Sequence, residues 1–183
     1  MPRQHRSCGL AAAIALLSIT PFPTATQAQI TPDTTLGNEG SIVTPEAIVR
    51  GDLADLIEGG GIRESNLFHS FLEFNVDEGQ RVYFANPAGI ESILSRVTGD
   101  DLSNIFGLLG VDGAADLFLL NPNGIVFGEN ATLDIEGSFY ATTADAIELG
   151  DEVFSAAEPA RSRLLTVSPS VLFENYLSGA SGE

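Results

Sequence analysis

Lysine and tryptophan are absent from this 183-residue chain, and cysteine occurs once and histidine twice. Every cationic side chain is therefore an arginine, and eight of them face 25 acids for a formal net charge of −17. A field of that sign repels phosphate backbones and anionic lipid surfaces, which sets nucleic-acid binding aside. Without lysine or neighbouring histidines the chain offers no evident nucleophile or activated base. Only His69 follows the leader described next, so it has no metal-ligand companions and reads as a packed or hydrogen-bonded residue. No cofactor and no metal are expected.

Residues 1–28 read as a secretory signal peptide. Arg3 and Arg6 precede the apolar run "CGLAAAIALLSI", which is too short to span a bilayer, and small residues at Thr26 and Ala28 offer a cut site before Gln29. Its removal takes away two of the eight arginines, and six against 25 acids give a net charge of −19. Cys8 leaves as well, so the exported chain can form no disulfide. No other run approaches membrane length, and the mature form has no transmembrane anchor. Residues 29–183 suffice for one domain with a real core.

Along that domain, short β-branched patches (Ile42, Val43, Ile48, Val49) alternate with turn formers at Pro32-Asp33, Gly37-Asn38 and Gly51-Asp52, as short strands do. Gly59-Gly60-Gly61 is the loosest place and reads as a hinge or loop. It lacks the Lys-Ser/Thr ending of a phosphate-binding loop. Phe74, Val76, Val82 and Phe84 follow the two-residue strand period across Asp77–Gln80, which marks a hairpin or the corner of a coil. Over 90–110 the type stays open: Ile90, Ile93, Leu94, Val97 and then Leu102, Ile105, Phe106, Leu109 have helical spacing, but each run is two turns long and ends near a glycine. From Ala115 to Ile147, "LFLL", "GIVFG", "ATLDIEG" and "SFYATTADAI" are strand-like runs separated by turn residues, apolar enough for parallel strands buried on both faces. No helix-length crossover separates them, so parallel pairing leaves a solenoid as the economical solution.

One phrase occurs twice, as "VYFANPAGI" and "LFLLNPNGIVFG". Asn121, Pro122, Asn123 and Gly124 meet the preferences of a type I turn position by position, and Asn86, Pro87, Ala88 and Gly89 fit the same frame. An apolar strand enters each and an isoleucine leaves, Ile125 in the second. The pair looks like one corner used at two levels of a stack.

"NLFHSFLEFNV", "VYFANPAGIESILSRVTG", "ADLFLLNPNGIVFG" and "GSFYATTADAI", in this order, resemble the N-terminal secretion domain of filamentous haemagglutinin-type exoproteins, the passengers of two-partner secretion in Gram-negative bacteria. The resemblance runs from about Gln29 to Val167. It implies an all-β, right-handed parallel β-helix with an N-terminal cap and extra-helical strands. It also implies recognition in the periplasm by the periplasmic domains of a dedicated outer-membrane β-barrel transporter, and a secreted or cell-surface product. Of the family's two signature motifs, Asn-Pro-Asn-Gly-Ile stands intact at 121–125. Asn-Pro-Asn-Leu is replaced by Asn86-Pro87-Ala88-Gly89, which weakens the carry-over of a recognition role there. The resemblance tilts "ESILSRVT" toward strand, with Ile93, Ser95 and Val97 on one face. Such domains usually preface a long solenoid, so an end at Glu183 reads as a passenger lost by truncation or as a short form.

Two other classes compete with a secretion-recognition domain. Parallel β-helices also host polysaccharide-active enzymes, which need clustered acids with a base or calcium. The densest acids here, Asp100, Asp101, Asp112 and Asp116, match no calcium-loop spacing and read as solvated surface. A free adhesin binding host or cell-surface glycans needs exposed aromatics, whereas those of "LFHSFLEF" are expected inside.

Overall fold

A computed structural model describes residues 29–150 and 152–162. The leader and the run 163–183 lie outside the described residues. The N-terminal segment supplies β1 (Ile30–Pro32), β2 (Ser41–Val49), β3 (Asp52–Gly59) and β4 (Gly61–Arg63). A first rung follows as β5 (Asn66–Phe74), a bridge at Val76, and β6 (Arg81–Ala85). The second is β7 (Ser92–Val97), β8 (Ser103–Ile105) and β9 (Leu108–Asp112), and the third is β10 (Asp116–Leu120), β11 (Ile125–Phe127) and β12 (Thr132–Asp134). After β13 (Phe139–Thr142) the chain leaves the coil as a hairpin of β14 (Ala146–Leu149) and β15 (Glu152–Ser155).

Three parallel sheets run along this parallel β-helix. One stacks β5, β7, β10 and β13, the second β3, β6, β9 and β12, and the third β8 and β11. In the first sheet Asn66 pairs with Ser92, Ser92 with Asp116, and Leu117 with Phe139, so the coil tightens by two residues at each step. In-register parallel strands keep equivalent side chains on one face. Leu67, Ile93 and Leu117 accordingly stack inward, followed by the half-buried Phe139, and Val82, Leu109 and Leu133 do the same from the second sheet.

The two ends differ. At the N-terminal end, β1 and β4 pair antiparallel with β5, and β2 pairs antiparallel with β3. These strands form the cap, with Ile30, Val43 and Ile57 against the coil interior. Beyond β11, β12 and β13 no described strand pairs, and the inward Phe127 and Leu133 remain 42% and 45% exposed.

Residues 90–110 are strands despite their helical spacing. Both faces of β7 are covered: Ile93 and Val97 join the coil interior, while Leu94 packs outward against Phe68 and Leu120 under the β14–β15 hairpin. Two buried faces scatter apolar residues at every spacing, which is why a helical count arose. Ile93, Ser95 and Val97 do share one buried face, as the resemblance implied. Residues 74–84 form a corner of the coil and not a hairpin, because β5 and β6 pair into different sheets.

Three expectations need correction. Gly59–Gly61 is no loose hinge: Gly59 and Gly60 take φ +71° and +87°, and a Cβ on Gly60 would meet the Phe68 carbonyl at 2.7 Å and Leu67 Cδ1 at 2.8 Å. The late strands are not all buried on both faces, since Val126 as well as Phe127 is exposed on β11. Most consequentially, the two Asn-Pro phrases are not one corner at two levels. "VYFA" belongs to the β6 sheet and its turn leads into β7, whereas "LFLL" is β10 and its turn leads into β11.

Candidate functional site

Asn121 is fully buried at the end of β10, and its amide is used entirely within the chain. Nδ2 donates to the Asp101 carbonyl and to Ser103 Oγ, both at 3.0 Å, in the turn of the rung below. Oδ1 accepts the Asn123 backbone N–H at 2.9 Å, a local Asx turn. On the main chain, Asn121 N–H donates to the Thr142 carbonyl at 3.0 Å and its own carbonyl accepts from Gly124 N–H at 3.1 Å. The turn therefore has Asn121 first and Pro122 second, the frame expected from sequence. Asn123 is exposed yet tethered, with Nδ2 donating to the Gly99 carbonyl at 2.8 Å. Pro122 and Gly124 are half-buried, and Ile125 packs against the coil interior.

Asn86 performs a related task at another corner. With its amide oriented to satisfy its neighbours, Oδ1 accepts from Ala114 and Ala115 N–H and Nδ2 donates to the Ile90 carbonyl, each at 3.2 Å. The tight turn here begins one residue later than expected, because Ile90 N–H donates to the Pro87 carbonyl at 3.2 Å. Gly89 then stands third, where a type II turn needs positive φ, and it has +87°. Pro87, Ala88 and Gly89 are exposed. The structure thus separates the two motifs instead of joining them into one surface. Each has a buried or half-buried asparagine that ties neighbouring rungs and a turn tip facing solvent.

His69 lies inside the aromatic cluster, 5.3 Å from the Phe84 ring and 6.1 Å from that of Phe71. Nδ1 is 3.0 Å from Ser41 Oγ, and Nε2 has no hydrogen-bond partner. Burial lowers its pKa to about 3, so the ring is neutral. Phe68, Phe71 and Phe74 are buried as expected, which removes them as a sugar-stacking face. Of the four grouped acids, Asp112 lies 3.7 Å from Arg50, and Asp116 accepts Ser138 N–H at 2.6 Å. Among the described residues no cluster of three His, Cys, Asp or Glu is placed to hold a metal ion.

Two charged sites were not singled out from sequence. Arg50, at φ +53° in the β2–β3 turn, donates to Asp134 at 2.9 Å, Glu136 at 3.3 Å and the Val111 carbonyl at 3.0 Å. It fastens the N-terminal hairpin to the far edge of the coil. Arg96 and Asp33 form the second, a buried polar group between the coil and both terminal segments. The available signal was a cation inside the otherwise strand-like "SILSRV", since an arginine there must find several acceptors once buried.

A family model described as the TPS secretion domain matches residues 28–175. A heme/hemopexin-binding protein of Haemophilus influenzae (strain ATCC 51907 / DSM 11121 / KW20 / Rd) is 35% identical over 72 residues, which is 39% of this chain and 8% of that protein. In fold, the chain is similar to the crystal structure of a filamentous hemagglutinin secretion domain, with a TM-score of 0.52 and 23% identity. That likeness covers 68% of this chain and 45% of the other, so the chain spans under half the length of the structure it matches.

Proposed function

Because the chain belongs to the family of two-partner secretion domains, which leave the cell through a cognate outer-membrane transporter and serve secretion rather than catalysis, we propose that residues 29–183 are the part this transporter reads. The supporting observation is the family match over 28–175 with Asn121-Pro122-Asn123-Gly124-Ile125 intact inside it. Residues 1–28 act as the signal peptide that delivers the chain to the periplasm, and the transporter's periplasmic domains receive it there.

Reception precedes folding. The side chains best suited to give specificity, Phe68, Phe71 and Phe84, are buried once the coil has closed. An extended strand-prone segment can instead add its backbone to an exposed sheet edge of the receiver and offer alternate side chains to pockets. Parallel stacking closes many distant contacts and folds slowly, which keeps the chain threadable, and the exported part has no cysteine to cross-link it. Outside the cell the first rungs form on the antiparallel cap. The exposed Phe127 and Leu133 at the other end then offer a surface on which a following solenoid stacks.

The test is export of the full chain by its transporter with and without the periplasmic domains. Loss of secretion with the precursor still reaching the periplasm supports the reading. Undiminished secretion contradicts it.

A further inference from the structure

Arg96 is among the largest fully buried side chains described, and its charge is held by parts of the chain that are remote from one another. On β7 it is in register with Ser70 below and Leu120 above. Nε donates to Ser70 Oγ at 2.8 Å and Nη2 to Thr35 Oγ1 at 2.8 Å. Nη1 donates to the Ser155 carbonyl at 2.7 Å and to Ser162 Oγ at 2.5 Å, and the guanidinium lies 4.5 Å from the Phe154 ring centroid. Ser70 and Thr35 pass the interaction on, each donating its hydroxyl to Asp33 at 2.7 Å. Thr98 adds a third hydroxyl to that carboxylate at 2.6 Å. Burial would raise the Asp33 pKa, but these hydroxyl donors together with the Thr35 backbone N–H outweigh it and hold the carboxylate below its usual range. The result is an ion pair relayed through two hydroxyls.

Thr35 precedes the coil, Ser70 and Arg96 belong to it, and Ser155 and Ser162 follow it. A buried guanidinium short of acceptors is among the costliest defects a core can hold. We propose that Arg96 is the closure residue of the domain: the cap and the terminal hairpin lock onto the coil together, and only when Ser155 and Ser162 reach a guanidinium already held by Thr35 and Ser70. A chain with either segment still unfolded carries an unsatisfied arginine and stays easy to unfold. Closure therefore reports that the stretch from Asp33 to Ser162 is complete. Its use in export rests on the secretion reading above, but its test needs no transporter, so either idea can fail alone.

The experiment is a double-mutant cycle on the full chain in urea, with Thr35→Val and Ser162→Ala made singly and together. No hydrogen bond joins these two hydroxyls to each other; each accepts one from Arg96. The expected result is non-additivity of about tenfold in the folding equilibrium constant, vanishing in an Arg96→Met background. Additive effects in the chain that retains Arg96 overturn the proposal. If the Arg96→Met protein does not fold, hydrogen exchange in Ser162→Ala decides. The expected result is faster exchange both at Ala156, which is bonded to Asp145, and at Thr35, which is bonded to Asp33, with Val111 unchanged. Acceleration confined to Ala156 overturns it.

Discussion

Asn86 and Asn121 occupy different corners of the coil, and each uses its side-chain amide to hold the turn of an adjacent rung. Asn121 reaches down to Asp101 and Ser103, while Asn86 reaches up to Ala114 and Ala115. A motif that looked like one repeated corner is one repeated means of fastening. In the folded protein neither asparagine offers its amide to a partner.

Replacing Asn121 by alanine strands the Asn123 N–H and removes both bonds to the rung below. The expected loss is about 2–3 kcal/mol of unfolding free energy in urea titration. Asn86→Ala, at a half-buried site, should lose about 1–2 kcal/mol. Unchanged stability in Asn121→Ala would mean that the corner serves recognition and contributes nothing to the fold.

Gly60 and Gly51 both have positive φ but differ in the space around them. At Gly60 a methyl meets backbone and side chains under 3.0 Å away, whereas at Gly51 nothing lies within 4 Å. Gly51→Ala should cost only the dihedral strain, about 1 kcal/mol, and Gly60→Ala clearly more, roughly 3 kcal/mol. Thermal or urea unfolding of the two variants gives the order, and equal losses would show that the triple-glycine junction is loose after all.

The His69 ring titrates at about 3 in the fold against 6.5 when free, so the unfolded chain takes up the proton first. Its contribution to stability is fully present above pH 6.5 and is lost as the pH falls toward 3, at up to about 1.4 kcal/mol per pH unit. Asp33 pulls in the same direction only below its ordinary value of 3.8, which leaves pH 4.5–6.5 as the window for histidine. Urea unfolding across that window should show the slope, and His69→Leu should flatten it. A slope that survives the substitution would assign it to other groups.

The class of fold was legible because turn residues and short apolar runs recur without helix-length gaps between them, and the quoted segments carried the family resemblance. Strand type at 90–110 was not legible locally. Leu94 is apolar because the β14–β15 hairpin covers it, and that hairpin lies some fifty residues further along the chain. The turn at Asn121 was framed correctly from its own four residues. The turn at Asn86 was not, because the demand of Ala114 and Ala115 for an acceptor fixes that side chain from a rung away. Gly59–Gly61 misled for a similar reason: Gly59 packs closely against Gly40 and Ile42 and Gly60 against Leu67, Phe68 and His69, which sequence alone does not place nearby.

Arg50 makes its bonds near solvent, so its ion pairs are screened and individually weak. Arg50→Ala should cost about 1 kcal/mol, chiefly through the lost tie to the Val111 carbonyl, and the difference from the parent should narrow in high salt. A larger loss that is insensitive to salt would indicate that the hairpin anchor is structural in a way its ion pairs do not explain.

The stack and its late closure meet in one cross-link. Asn104 and Val126 are register partners on β8 and β11, neighbouring strands of successive rungs. Strands about 4.8 Å apart suit a disulfide. With both residues changed to cysteine in the full chain, the bond should form spontaneously in the refolded protein. In cells carrying the transporter, the oxidised chain should accumulate in the periplasm, while the same chain under reducing conditions is secreted. A folded protein that cannot form this bond would contradict the rung register, and secretion of the oxidised chain at the parental rate would contradict threading before folding.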